Sequence, residues 1–188
     1  MGKLVRIIRE LKPKVLITFG PEGIYGHYDH IAVHRWTSIA YDLAADPGCF
    51  PDSAAAACAP HQVSKLYYRV LPESQVAAMA QGGLPASVMM DGVPFPMVGW
   101  RDEEITTVID VRAYRERKLR GLTCHATQFD ARQLTGHQEQ MVDGPLFTQE
   151  AFVLARSMVG RPAGVESDLL WGLPSPPVPS PERTERGG

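Results

Sequence analysis

The 188-residue sequence predicts one α/β domain with a mostly parallel sheet and flanking helices. Apolar runs of strand character alternate with segments of helical periodicity, which is the pattern of βαβ units. Hydrophobic residues make up 44% of the chain, enough for one compact core. A glycine-rich stretch, Gly20–Gly26, follows the first apolar run, as loops do at the carboxyl ends of strands in such sheets.

The first elements follow from periodicity and from helix breakers. Residues 2–11 alternate charged and apolar side chains at helical spacing, and Pro13 ends this short amphipathic helix. Lys14–Phe19 is predicted to be a buried strand, and Gly20–Gly26, with three glycines and a proline, the loop after it. Apolar residues recur at helical spacing over Ile31–Ala45, which predicts the next helix.

The middle of the chain continues the alternation of strands and helices. Cys49–Gln62 is rich in alanine, proline and small residues and is interpreted as a surface excursion. Ser64–Leu71 alternates as a strand does, and Glu73–Gln81 is predicted to be a short helix. Ser87–Met90 and Glu104–Ile109 are two further predicted strands.

The carboxy-terminal part contains one more predicted helix and a tail. Asp110 is placed to cap a helix over Val111–Leu122. Residues 172–188 contain five prolines and no apolar periodicity, so we expect this tail to be disordered. The predicted domain therefore covers residues 1–171.

Composition excludes several classes of protein. The net charge of −2 gives no reason to expect a nucleic acid or an anionic membrane as partner. The three cysteines, Cys49, Cys58 and Cys124, have no CxxC spacing and cannot all pair, which indicates reduced thiols in a cytoplasmic protein. The amino terminus does not resemble a signal peptide, and no apolar run approaches the roughly 18 residues of a membrane span.

The segment Gly26–Ile31 contains the strongest chemical signal. His27, Asp29 and His30 lie within four positions at a predicted strand-to-helix junction, where metals and polarised water molecules are often held. Imidazole is a zinc ligand, and a neighbouring carboxylate can orient another imidazole. The alternative is a pair of polar loop histidines satisfied by the backbone. His34, four residues after His30, is either a second ligand or a partly exposed helix residue.

A basic cluster lies on the last predicted helix. Its simplest interpretation is the solvated face of a helix, and a binding patch for an anionic substrate is the alternative. The cluster consists of Arg112, Arg115, Arg117, Lys118 and Arg120.

Two separated motifs resemble the PIG-L/LmbE-like family of zinc-dependent N-deacetylases. Ile17–Pro21 followed by Gly26–His30 is similar to the family's second motif, with Tyr28 where the family usually has proline. Ile105–Thr107 through Asp110, Tyr114 and Lys118 to His125–Gln128 is similar to its carboxy-terminal pattern. The resemblance covers most of residues 13–130 and implies a Rossmann-like domain that hydrolyses the N-acetyl group of an amino sugar or related glycoconjugate.

The resemblance also implies roles for individual residues. His30 would be a Zn²⁺ ligand, and a bound metal lowers the pKa of its water to about 7. His27 would be the cationic group that stabilises the oxyanion and protonates the leaving amine. Asp29 would hold His27 and favour its protonated form. His125 and Gln128 would shape the wall of the site.

The sequence departs from the family in one respect. The family's first motif, Ala-His-Pro-Asp-Asp-Glu, supplies two further ligands and the general base, and no equivalent occurs in this chain. We therefore expect that the first strands of the fold are missing and that an exposed sheet edge promotes association, including homo-oligomers. Two functions follow: the carboxy-terminal part of an N-deacetylase, or a catalytically incompetent remnant that serves as a binding or regulatory subunit.

Overall fold

The computed structural model confirms an α/β fold with flanking helices, and it describes residues 1–50, 57–82, 85–125, 127 and 143–174. The helices are α1 (Gly2–Leu11), α2 (Gly23–Gly26), α3 (Tyr28–Ala45), α4 (Glu73–Gln81), α5 (Arg115–Thr123) and α6 (Pro145–Thr148). The strands are β1 (Val15–Phe19), β2 (Lys65–Pro72), β3 (Ser87–Met90), β4 (Val93–Pro96), β5 (Gly99–Trp100), β6 (Thr107–Asp110) and β7 (Gln149–Ser157). Short 3₁₀ turns cover Asp102–Glu104 and Arg112–Tyr114.

The main sheet has the order β1-β2-β7-β6, with β5 paired to the end of β2. β1 and β2 are parallel, with Val15 opposite Lys65 and Phe19 opposite Arg69. β5 is also parallel to β2, whereas β7 runs antiparallel to both β2 and β6. The sheet is therefore mixed, and the prediction of a mostly parallel sheet was wrong in this detail. The difference comes from β7, a nine-residue strand that was not predicted from the sequence.

Helices α1 and α3 pack together on one face of the sheet and enclose the largest apolar cluster. Its buried members are Val5, Ile8, Ala40, Tyr41, Ala44, Val63 and Leu66. Arg9 is only 2% exposed in this layer. Its guanidinium donates to the backbone carbonyl oxygens of Ala44 at 3.1 Å and Asp46 at 2.6 Å. Arg9 thus satisfies carbonyls that the end of α3 leaves without intrahelical partners.

A buried ion pair joins the sheet to the segment that follows β7. Lys65 and Glu166 have fully buried side chains, and the Lys65 Nζ donates to the Glu166 carboxylate at 2.9 Å. The same carboxylate accepts hydrogen bonds from the hydroxyl groups of Tyr67 at 2.6 Å and Thr107 at 2.7 Å. Burial and the bond to Glu166 raise the pKa of the Tyr67 phenol well above its ordinary value. The phenol therefore stays a donor at neutral pH.

Strand β1 is an open edge of the sheet in the part of the chain that the structure describes, since it pairs there with β2 alone. Ile17, on this strand, is 51% exposed. Nearby on α3, Trp36 and Ile39 are 56% and 48% exposed. Such an edge with apolar side chains beside it is suited to pairing with another segment of polypeptide. Association into a homo-oligomer remains a prediction.

Most predicted elements are present with small changes of boundary. Helix α3 begins at Tyr28 rather than Ile31, because the His27 side chain caps it. The predicted strand over Glu104–Ile109 is shorter, since a 3₁₀ turn ends at Glu104 and pairing begins at Thr107. Asp110 accepts a hydrogen bond from the backbone of Arg112 at 2.9 Å, as a capping residue does. It caps a 3₁₀ turn, and the α-helix begins only after that turn.

Some predictions fall outside the described residues. These are Gln128, residues 51–56 of the surface excursion and residues 175–188 of the tail. The first tail residues are described, and the Lys14 Nζ donates to the Pro174 carbonyl at 2.9 Å. Within the described ranges, no helix combines the length and apolarity that crossing a membrane requires.

We expect Lys65→Met to lower the free energy of unfolding by about 3–5 kcal/mol, because it leaves the Glu166 carboxylate buried without its cation. The double variant Lys65→Met/Glu166→Leu should recover part of this loss, since it removes both charges. Urea denaturation measures both values. Arg6→Ala is the control: it breaks an exposed pair with Glu10 and should cost less than about 1 kcal/mol. A Lys65→Met loss as small as that of the control would contradict this account.

Candidate functional site

The candidate site is built on an unusual turn between β1 and α3. Gly23, Ile24 and Gly26 all have positive φ, at 65°, 69° and 83°. A positive φ at the β-branched Ile24 is a backbone outlier. The turn is closed by backbone hydrogen bonds from Gly23 to the carbonyl of Gly20 at 3.0 Å and from Gly26 to that of Glu22 at 2.9 Å. This geometry delivers the chain to His27 at the carboxyl end of β1.

Gly23 is required at its position for steric reasons as well. A Cβ atom on Gly23 would lie 2.9 Å from the Cβ of His30 and 3.1 Å from the backbone nitrogen of Ile31. Glycine is therefore the residue that lets α3 approach the turn this closely.

His27 is the N-cap residue of α3. Its Nδ1 accepts a hydrogen bond from the backbone N–H of Asp29 at 3.1 Å. An accepting Nδ1 carries no proton, so in this arrangement the proton of the neutral ring lies on Nε2. Asp29 thus contacts His27 through its backbone amide. The carboxylate of Asp29 is exposed, and no hydrogen bond among the described residues joins it to the imidazole. Its orienting role stays a prediction.

His30 is held with one ring nitrogen free. Its Nδ1 lies 3.1 Å from the carbonyl oxygen of Gly23, and because a carbonyl only accepts, Nδ1 carries the proton. The Nε2 lone pair is then available. The ring stacks on Phe19 with centroids 4.0 Å apart, and the His27 ring lies 4.9 Å away. A backbone carbonyl that fixes the tautomer of an imidazole is the usual support of a metal-binding histidine.

Tyr25 also belongs to this cluster, although it was not among the site residues predicted from the sequence. Its ring makes edge contacts with the rings of His30 at 5.2 Å and His27 at 5.9 Å. Burial raises the pKa of the Tyr25 phenol, so the group stays protonated at neutral pH and can donate a hydrogen bond. The available signal was an aromatic residue inside the glycine-rich loop, two positions before His27.

His34 has structural partners. Its Nδ1 lies 2.8 Å from the carbonyl oxygen of Phe19, and its ring contacts Tyr68 edge-on at 4.8 Å. These contacts attach α3 to the end of β1. The carbonyl contact of the His34 Nδ1 is of the same kind as that of His30, so it does not decide between the two alternatives, and a role as second metal ligand stays a prediction.

The described residues do not form a complete metal site. Zinc sites use at least three protein ligands. Over the described ranges, no group of three or more His, Cys, Asp or Glu side chains is placed to hold a metal ion. His30 fits as one ligand, because its Nδ1–H is fixed and its Nε2 is free. The remaining donors are not found among these residues.

Three members of the basic cluster, which spans the 3₁₀ turn Arg112–Tyr114 and α5, pair with carboxylates of the same chain. Arg112 pairs with Asp110 at 3.5 Å, and Arg115 pairs with Asp143 at 3.6 Å. Lys118 contacts Glu150, which also binds Arg69. These pairs favour the interpretation as a solvated helix face over a patch for anionic substrates. His125, at the end of this helix, is exposed.

The chain is similar to curated bacterial deacetylases. It is 39% identical over 180 residues to the 1D-myo-inositol 2-acetamido-2-deoxy-alpha-D-glucopyranoside deacetylase of Streptomyces griseus, covering 91% of this chain and 53% of the relative. The proteins of the same name from Rhodococcus jostii and Thermobispora bispora are 37% and 34% identical over 179 and 192 residues. Those matches cover 90% and 92% of this chain and 58% and 61% of the relatives.

The chain thus spans about half to three fifths of the length of these relatives. No protein-family model matches it. The names of the relatives agree with the deacetylase activity that the sequence motifs imply.

We expect Gly23→Ala to destabilise the fold by more than Gly92→Ala does. Gly92 also has a positive φ, 80°, but nothing lies within 4 Å of the position a Cβ would take. Gly92→Ala should therefore cost only the backbone term of about 1–2 kcal/mol. Gly23→Ala adds the clash with His30, and the NMR signals of that imidazole should move. Urea denaturation and imidazole NMR of the two variants test this, and equal losses with an unmoved His30 ring would refute it.

Proposed function

We propose that this chain is the carboxy-terminal part of a zinc-dependent hydrolase that removes the N-acetyl group from an amino sugar or a related glycoconjugate. The observation that carries the proposal is the His27–His30 pair. His30 has a fixed tautomer with Nε2 free, and His27 lies beside it with its proton on Nε2. The deacetylases at 33–39% identity support the same reaction class.

Each residue of the site would have its own role in amide hydrolysis. His30 would serve as one zinc ligand, and zinc would supply Lewis-acid chemistry. The Nε2–H of His27 would donate a hydrogen bond to the carbonyl oxygen as negative charge develops there. To act as general acid, His27 would first take a proton on Nδ1 and give up the bond from the Asp29 amide; the imidazolium would then pass its Nε2 proton to the departing amine and return to the neutral ring. Tyr25, whose ring makes edge contacts with both imidazoles, would supply its neutral phenol as a further donor. Asp29 would support His27 from the start of α3.

The open edge of β1 supports the view that the site is completed by further polypeptide. In parallel sheets the carboxyl ends of neighbouring strands meet at the same edge of the sheet. A strand added in parallel to β1 would bring the residues at its carboxyl end next to the turn that holds His30. The incomplete ligand set and the open β1 edge, both observed over the described residues, would then have one explanation. The relatives are long enough to contain such an additional strand.

A second candidate function is a binding or regulatory subunit without catalysis. It is favoured by one observation: the described residues lack a group of three metal-binding side chains. Zinc binding and turnover distinguish the two candidates.

We predict that the 188-residue chain alone binds zinc with a smaller binding free energy than the ~10 kcal/mol that complete structural sites reach. One imidazole and its immediate neighbours provide too few ligands. Isothermal titration of the metal-free chain measures this affinity. Tight stoichiometric binding that disappears in His30→Ala would show that the chain contains further ligands and would contradict the prediction.

We predict that joining this chain to the part of the Streptomyces griseus relative outside the matched stretch yields a zinc-dependent deacetylase. The assay is acetate release from the relative's named substrate, with the 188-residue chain alone expected to be inactive. In the fusion, His30→Ala should lose metal and activity together. An inactive but folded and zinc-loaded fusion would favour the second candidate.

The same fusion separates the roles of the two histidines. His27→Asn keeps an oxygen that can cap α3 but cannot transfer a proton, so it should retain zinc and lose about 10²–10⁴-fold in rate. Asp29→Asn should also keep zinc, with a smaller loss of rate. His61→Gln is the control, because this imidazole binds the Pro13 carbonyl at 2.8 Å, before β1 begins. If His27→Asn lost zinc while His30→Ala retained it, the two roles would be reversed.

A further inference from the structure

Glu22 places a carboxylate in the turn between β1 and α3, one residue before Gly23. Its Oε1 atom is buried and has no hydrogen-bond partner within the part of the chain that the structure describes. None of the ion pairs found among those residues includes Glu22. Buried polar atoms in folded proteins almost always have a partner. The buried Glu22 oxygen therefore indicates a donor that these residues do not supply.

The Glu22 carboxylate lies where a side chain of Gly20 would be. A Cβ atom on Gly20 would lie 2.5 Å from the Oε2 and 2.6 Å from the Oε1 of Glu22. Gly20 is the first residue after β1, so its lack of a side chain makes room for the carboxylate at the carboxyl end of that strand. The negative charge is thereby placed at the end of the strand that forms the sheet edge.

Strand β1 is the open edge of the sheet over the described residues. Residues in register on neighbouring strands lie about 5 Å apart, and their side chains point to the same face. A strand that pairs with β1 and continues one residue past Phe19 would place a side chain opposite Gly20. Because the Glu22 carboxylate occupies the side-chain position of Gly20, that incoming side chain would begin about 5 Å from it.

We propose that the open edge of β1 and the Glu22 carboxylate form a docking surface for a polypeptide strand that has a lysine or arginine opposite Gly20. The inference rests on the proposed function, because the strand belongs to the further polypeptide that completes the site there. Pairing along β1 takes the carboxylate out of water, and a buried anion is tolerated where a cation and hydrogen bonds accompany it. A neutral donor would leave the charge uncompensated, so a basic side chain is the partner that fits.

Glu22→Gln in two contexts tests this proposal. In the fusion with the Streptomyces griseus segment, the substitution should lower the Tm by about 5–10 °C, because it leaves the incoming cation buried without its anion. In the 188-residue chain alone it should change the Tm by less than about 2 °C, since no cationic partner is lost there. Glu116→Gln is the matched control: it removes one negative charge from an exposed residue of α5 and should change either Tm by less than about 2 °C. Scanning calorimetry measures all of these values.

A double-mutant cycle in the fusion assigns the effect to this position. Gly20 does not have a positive φ, so alanine adds no backbone strain there, but its Cβ would displace the Glu22 carboxylate. Gly20→Ala should therefore lower the Tm of the fusion about as much as Glu22→Gln does. The double variant should lower it little further, because both changes remove the same interaction. Gly20→Ala combined with Glu116→Gln should be additive.

Zinc analysis distinguishes a basic side chain from a metal ion as the partner of Glu22. The Glu22→Gln fusion should bind as much zinc as the unsubstituted fusion. A loss of zinc would make Glu22 a metal ligand and would overturn the docking proposal. Equal Tm changes in the fusion and in the 188-residue chain, or additive effects of Gly20→Ala and Glu22→Gln, would overturn it as well. So would a fusion whose 188-residue part melts at the temperature of the chain alone.

These outcomes are separate from those that test the proposed function. None of the Tm measurements depends on whether the fusion releases acetate. An inactive fusion would refute the deacetylase function, while a Glu22→Gln loss confined to the fusion would still support the docking surface. An active fusion with an unchanged Tm in Glu22→Gln would refute the docking surface alone.

Discussion

Three of the four residues from Gly23 to Gly26 have positive φ, and the positions of both imidazoles follow from that backbone. The Gly23 carbonyl faces the Nδ1 of His30, and the lack of a Cβ on Gly23 lets α3 approach. His27 then lies at the N-cap position of α3, where its ring accepts the hydrogen bond that caps the helix. The positive φ of Ile24 carries backbone strain of about 1–3 kcal/mol, which is retained only where the surroundings enforce it. Here β1 and α3 enforce it from both sides.

The rigid support of this turn comes from the sheet behind it. Phe19, which stacks on His30, is the last residue of β1, and its backbone partner in β2 is Arg69. At the opposite end of β2, Lys65 is fixed by the buried Glu166. Removing two charges from water is costly, and the pair is held there because the hydroxyls of Tyr67 and Thr107 share the carboxylate. The ion pair therefore specifies how the segment after β7 covers the sheet, while hydrophobic contacts supply most of the stability.

The sequence predicted the elements whose signals are local. Helix α1, strand β3 and helix α4 have the predicted boundaries, because helix breakers and apolar periodicity define each of them. Strand β7 was missed, since Ala151–Ala155 is a short apolar run that periodicity cannot assign to strand or helix. Its antiparallel pairing is a long-range property. In the candidate site, the motif predicted that His27 and His30 lie at the strand-to-helix junction. The contact of Tyr25 with the rings of His27 and His30 depends on the φ values of the turn, which cannot be read from the sequence.

The same four-residue turn contacts two parts of the structure that lie some seventy positions apart in the sequence, helix α3 and the hairpin formed by β3 and β4. On one side it contacts His30 through Gly23, and on the other it contacts Phe95 through Gly26 and Val98 through Ile24. A shift of the hairpin would therefore be transmitted to the backbone that places His27 and His30. The turn has little freedom to absorb such a shift, because the positive φ at Ile24 leaves few alternative conformations. The alignment of the two imidazoles therefore depends on α3 and on β3 and β4 together, through this one segment.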